Sequence, residues 1–388
     1  MGNGTFKGKS QEKTSTLSVN NFQYQHVLGS GGFGKVWKVM QKKTKRTFAM
    51  KELSKARIIT KKSVDAVMNE RQLLSQLKHP FLVNMIYAFQ DRENLYLVMD
   101  LLSGGDLRYH IAKHKTFSEQ ATKFFVACIL TSLEFIHSNG ILHRGVEPEN
   151  LVFDEKGYLR LTDFGIARVL RPENSTETSG TPGYMAPEVM CRQNHGVAVD
   201  YYALGVIAYE CMFGRRPYVG TNRKEVRDQI LARQVQIKRN EIPHGWSLEA
   251  ADFINRSIQR KPNNRLGIDG PSQVKNHPWL RDFPWSKLNQ KEIQSDFVPS
   301  VNDTMDLKQS ISSDVKDENE ETVNQNTIML RRDSVQALFE GYNYDSITTT
   351  VGSLNPIKQA LAANGVSVGS RTLDAGLNLD KFDYDQDQ

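Results

Sequence analysis

A chain of 388 residues with 39% hydrophobic and 24% charged residues can fill two or three packed lobes, and this composition excludes a disordered or fibrous class. No apolar run approaches the ~18 residues of a membrane span. No secretory leader is visible. The three cysteines, Cys128, Cys191 and Cys211, match no metal spacing and read as buried thiols of a reducing compartment. The formal charge of +6 hides an asymmetry: residues 1–287 carry 42 Lys/Arg against 27 Asp/Glu, and residues 288–388 carry 8 against 17. A basic body and an acidic tail can fold back on each other electrostatically, or both can simply be solvated faces. No basic cluster interleaved with aromatics argues for nucleic acid.

Residues 1–21 are polar and read as a flexible segment. They open MGNGTFKGKS, where Gly2 is a candidate for acylation although Phe6 stands where Ser or Thr is usual. One acyl chain, helped by Lys7 and Lys9, would anchor only weakly. From 22 to 100, short apolar–polar alternations broken by glycine, such as FAMKEL and LYLVMDL, predict an antiparallel sheet with one helix near 62–77. After Gly104 and Gly105 the period turns helical, in DLRYHIAKH and then EQATKFFVACILTSLEFIHSNG, which ends on a glycine. Further helical stretches fall at 199–213 and 247–259. Residues 303–327 are polar and acidic and read as a flexible linker. The expected fold class is α+β and bilobal: a β-rich lobe over 22–102, a helical lobe over 103–285, and a tail over 286–388.

The chemistry-bearing residues follow in order. LGSGGFGKV at 28–36 sets Leu28, Gly29, Gly31, Gly34 and Val36 between two strand-like runs with no helix opening after them. That context suits a hairpin over phosphates, because bare backbone N–H groups can approach the anion. Lys51 in FAMK can pair with phosphates, held by a carboxylate such as Glu70 on the next helix. Alone, either is an ordinary surface charge; in register with a glycine loop they are not. Asn150 and Asp163, the latter in TDFG, supply the hard oxygen ligands that Mg²⁺ needs beside a triphosphate. GTPGYMAPE ends on Glu188, VDYYALG carries Asp200 and PNNRLG carries Arg265.

This ordered set resembles a eukaryotic protein kinase over about 22–285, with ATP and Mg²⁺ as the implied cofactors. FLVNMIYAFQDRENLYLVMDLLSGGDLRYHI is especially similar to the AGC group, in its YANK branch and cAMP-dependent catalytic subunits. DFVP at 296–299 and FEGYNYD at 339–345 resemble that group's tail and its hydrophobic motif, with Asn343 where a phosphorylated Ser or Thr is usual. The resemblance implies an adenine site from Val36, Ala49 and Val152, a gatekeeper at Met99, and a hinge from Asp100 to Leu102. Leu74, Met85, His143 and Phe164 would form the column joining the lobes. Asp106, Glu149 and Asp228 match carboxylates that read substrate arginines in basophilic relatives. Glu177 falls at the activating phosphothreonine and could pair with Arg144 without phosphorylation. LRRDSV at 330–335 makes Ser334 a candidate target or pseudosubstrate residue.

The catalytic loop, ILHRGVEPENLVF, departs from the family. Gly145 replaces the aspartate that orients the substrate hydroxyl and accepts its proton, and Glu147 replaces the phosphate-neutralising lysine. Thr181, which bonds to both residues in relatives, is expected to lose its partners. Three readings follow. The chain is a pseudokinase that binds Mg·ATP and works through a protein partner; or an active serine/threonine kinase in which Glu147 serves as base; or a structural component that ignores nucleotide. The default location is the cytoplasm.

Overall fold

The computed structural model describes residues 17–171, 173–174, 179–300 and 320–346. Gly2 and Glu177 lie outside these residues.

The alternating segments form strands β1 (Phe22–Gly31), β2 (Gly34–Gln41), β3 (Thr47–Ser54), β4 (Met85–Gln90) and β5 (Asn94–Met99). With the tail strand Tyr344–Asp345 they make one six-stranded antiparallel sheet, in the order β1-β2-β3-β5-β4-tail strand. Two short helices follow β3: α1 (Lys55–Thr60) and α2 (Val64–Gln76). The sequence pattern anticipated only the second. Leu17 and Val19 pack on the outer sheet cluster around Phe22, Tyr87 and Phe89, so the segment to residue 21 is not wholly loose.

The second lobe is helical. Its centre is α4 (Glu119–Ser138), capped by the Ser118 hydroxyl, which accepts from the Ala121 N–H. By length and composition α4 passes the test for a membrane span, but 72% of its apolar window is buried inside the fold, which is how a core helix behaves. The lobe also holds α3 (Leu107–His114), α5 (Pro187–Met190), α6 (Ala198–Phe213), α7 (Arg223–Ala232) and α8 (Leu248–Ser257). Helix α6 stops at Gly214, whose φ of 69° is the left-handed conformation glycine adopts without strain. A bidentate pair, Arg265 to Glu188 at 2.6 and 2.9 Å, locks the far end of the activation segment to this lobe with both side chains buried.

The tail docks on the sheet lobe. Phe339 and Tyr342 are fully buried, and Arg71 of α2 donates to the Tyr342 and Asn343 carbonyls. Lys55, itself fully buried, donates at 2.7 Å to both the Asp91 carbonyl and the Gln336 side chain, and its Nζ lies over the Phe339 ring, 5.0 Å from the centroid. The linker expectation needs correction at its end: Glu320–Met329 is a helix, and Asn326 donates to the Thr60 hydroxyl. Leu330 and Val335 pack on Ala56 of α1, so burial of apolar side chains holds this end down. Ser334 is exposed beside Val335.

Candidate active site

Strand register brings the nucleotide residues together. Val36 pairs directly with Lys51, and Ala49 with Met99. From the other lobe, Val152 bridges to Asp106, and Phe153 exchanges backbone bonds with Gly104 and Gly105 at 3.0 and 2.8 Å. The cleft therefore has one wall from the sheet and a floor from the strand Leu151–Phe153. Asp100 spends its carboxylate on Arg160 at 2.9 Å and on the Asn84 amide at 2.9 Å, leaving the hinge to act through backbone.

The glycines divide their work. A Cβ on Gly29 or Gly31 would meet nothing within 4 Å, so the hairpin roof is open there. A Cβ on Gly34 would lie 1.9 Å from the Glu52 carbonyl oxygen, so strand packing alone demands that glycine. The open roof suits a polyphosphate held by backbone N–H groups.

Lys51 reaches both Glu70 oxygens, at 2.9 and 3.2 Å. Burial by itself would push the ammonium down; the Glu70 and Asp163 carboxylates outweigh it and hold Lys51 above its usual range. Asp163 sits in the left-handed region with φ 65°, its Oδ1 accepting from the Gly165 N–H at 3.0 Å. Burial would raise its pKa, but Lys51, that N–H and His143 together keep it below the ordinary carboxylate range. Asn150 donates to the Gly145 carbonyl at 2.9 Å, which leaves its amide oxygen as an acceptor. No group of three or more metal-binding side chains occurs among the described residues. Asn150 and Asp163 fit an ion that takes its remaining ligands from phosphates and water, as Mg²⁺ does.

The loop that should do the chemistry is held firmly. Asp200 accepts from the His143 and Arg144 N–H groups at 3.0 and 2.8 Å and from His137 at 2.8 Å. Those donors outweigh the penalty of burial and lower its pKa. Arg144 has φ 61° and donates to the Ile166 carbonyl at 2.9 Å. Strain of this kind collects at functional sites. His143 packs edge-on to Phe164 at 5.0 Å, and both are buried, as are Leu74 and Met85.

Gly145 is buried with no left-handed φ. The space an aspartate would enter is bordered by Ile166, 3.2 and 3.3 Å from an added Cβ. Thr181 bonds to Glu147 through its side chain, whereas Gly145 offers it no side chain. Burial raises the Glu147 pKa, the Thr181 bond opposes this, and Glu149 and Asp163 add to the rise.

Each of the three expected arginine-reading carboxylates already has a partner within the chain. Asp106 caps α3, accepting from the Tyr109 N–H at 2.8 Å, and Asp228 lies beside Arg227 at 3.3 Å. Glu149 is bound by Arg108 at 2.9 Å. Sequence reasoning missed that arginine, and nothing local marks it: its other carboxylate partner, Glu210, is 102 residues away.

A family model described as Protein kinase domain matches residues 22–280. A probable serine/threonine-protein kinase of Dictyostelium discoideum is 34% identical, over 88% of this chain and 74% of its own. The serine/threonine-protein kinase sgk-1 of Caenorhabditis elegans is 38% identical, over 77% of this chain and 64% of its own. The cAMP-dependent protein kinase catalytic subunit of Dictyostelium discoideum is 37% identical, over 73% of this chain and 43% of its own.

The chain belongs to the protein kinase superfamily, AGC group.

Kinases of this superfamily use ATP and Mg²⁺ on protein substrates. In this chain the Lys51–Glu70 pair is closed, and the catalytic loop carries Gly145 where kinases of this superfamily carry an aspartate.

Proposed function

We propose that this kinase-fold protein binds Mg·ATP in the inter-lobe cleft and works chiefly as a pseudokinase, a nucleotide-dependent partner for another protein. The observation that carries the reading is Gly145 beside a closed Lys51–Glu70 pair, with the Asp163 carboxylate helping to hold the Lys51 charge. A decayed remnant would have no reason to keep that pair. Lys51 would hold the α- and β-phosphates, and Asn150 and Asp163 the metal. Bound Mg·ATP would supply the transferable phosphoryl group and the charge neutralisation. Loss of a general base costs about 10²–10⁴-fold. Starting from ~1–100 s⁻¹ for kinases, ~10⁻⁴–1 s⁻¹ would remain. Glu147 lowers this further, since a carboxylate about 5 Å from phosphate charge costs ~3 kcal/mol at an effective dielectric near 20. We place the protein in the cytoplasm, with Gly2 as a candidate position for an acyl anchor.

The Thr181 bond favours a second reading. It gives Glu147 a partner in the activation segment, and the raised pKa that burial gives this carboxylate makes it a better base near neutral pH. Glu147 would then take the proton of a serine or threonine hydroxyl as that hydroxyl's oxygen bonds to the γ-phosphorus and ADP leaves with the bridging oxygen. The deciding experiment is single-turnover transfer from γ-labelled ATP to a serine peptide, with Lys51→Met as the blank and nucleotide binding measured in the same samples. Binding without transfer supports the pseudokinase. Transfer above the blank that Glu147→Gln abolishes supports the second reading.

A further inference from the structure

At the outer end of the cleft, Arg108 sits in a cage of acceptors from three other parts of the fold. It donates to Glu149, just past the catalytic loop, at 2.9 Å, and to both oxygens of Glu210 on α6, at 2.9 and 3.2 Å. The Tyr184 hydroxyl, from the end of the activation segment, lies between Arg108 and Glu210 and bonds to both. The guanidinium also lies 5.8 Å from the Tyr184 ring centroid. The Glu210 side chain is 5% exposed and that of Glu149 47%, so the cage has a buried floor and an open lip.

Two carboxylates, one bidentate, and an aromatic face make a guanidinium site. Such a cage would bind an arginine presented by another chain, and here the protein fills it from its own α3. Two further cations lie near the cage: Arg216 is 5.7 Å from the same Tyr184 ring, and Arg223 reaches Met185 at 3.4 Å.

We propose that Arg108 is a specificity-determining residue: it occupies the cage an incoming arginine would use, so the polypeptide received at this mouth carries a neutral or acidic residue there. This rests on the reading that the cleft faces a polypeptide. It is independent of whether phosphate is transferred.

The test uses the full chain, without nucleotide, and fluorescein-labelled serine peptides followed by anisotropy. The peptides differ only in carrying Arg, Ala or Glu at each of the four positions before the serine. Wild type should bind no Arg peptide more than about twofold tighter than its Ala counterpart, and Glu peptides at least as well. Arg108→Ala should gain a preference for Arg at one position on the order of tenfold, which is about 1.4 kcal/mol. Arginine preference in wild type equal to that of the variant overturns the proposal. So does a folded variant without that preference, or an absence of binding by every peptide. Should Arg108→Ala unfold because Glu210 is left buried and unpaired, Glu149→Gln decides. A filled cage leaves the wild-type Arg-to-Ala ratio unchanged by that substitution; an open cage makes it fall. Thermal stabilisation by Mg·ATP, measured separately on the same samples, keeps failure here distinct from failure of the nucleotide reading.

Discussion

Restoring the missing carboxylate is the sharpest perturbation available. In Gly145→Asp the new Cβ would lie 3.2 and 3.3 Å from Ile166 side-chain carbons and 3.5 Å from the His143 ring. Ile166 must yield by a few tenths of an ångström, and the backbone need not move, because Gly145 has no left-handed φ. Overpacking of this size costs about 1–3 kcal/mol of stability. A second carboxylate near Glu147 adds repulsion of about 3 kcal/mol if the charges are roughly 6 Å apart at an effective dielectric near 20. The informative protein is therefore the double variant Gly145→Asp/Glu147→Lys. It removes that repulsion and restores the cation for the moving phosphoryl group. A recovered base is worth about 10²–10⁴-fold, or about 2.7–5.5 kcal/mol of barrier. Single-turnover transfer to a serine peptide reads the gain directly, with Glu147→Lys alone expected to stay slow. If the double variant melts cooperatively, binds Mg·ATP and still transfers no faster than wild type, the assignment of Gly145 as the limiting defect is wrong.

Lys51→Met should abolish the thermal stabilisation given by Mg·ATP. For the wild type at a hundredfold excess over Kd this is about 2.7 kcal/mol, and an undiminished shift in the variant would refute the assigned role. Phe339→Ala empties a fully buried site under Lys55 and should cost about 3–5 kcal/mol. Hydrogen exchange over 320–346 should rise far more than over α4 if the tail docks through this side chain. Asp200 has a folded-state pKa below its usual 3.8, so its contribution is present above that pH and lost as pH falls toward the folded value. The acid limb of stability should therefore steepen below about pH 4, and Asp200→Asn should flatten it while costing about 3–5 kcal/mol at neutral pH. An unchanged acid limb in that variant would count against Asp200 as the anchor of the loop.

Much of the architecture was legible because its signals are local. Alternation in FAMKEL and LYLVMDL reports strands buried on one face, and the long apolar period of 119–138 reports a core helix. The nucleotide residues were legible for a different reason. Each carries a distinctive chemistry in a fixed order, so the sequence already pairs Lys51 with Glu70, which the fold sets 2.9 Å apart.

What the tertiary structure alone decided are the contacts made by ordinary-looking residues far apart in the chain. Arg108 reads as one more surface arginine until α3 and α6 are packed against each other and set it on Glu210. Thr181 and Glu147 meet only because the activation segment returns over the catalytic loop. Gly34 looks like a phosphate glycine, yet the Glu52 carbonyl behind it requires it. Residues 320–327 look like linker because their polarity hides a helix held down by Asn326 and the neighbouring Leu330. Sequence alone determined the kinase-like set and the departures at Gly145 and Glu147, because residue type and order encode chemistry. Which charges are already spent on one another depends on distances across the fold, and these no local pattern carries.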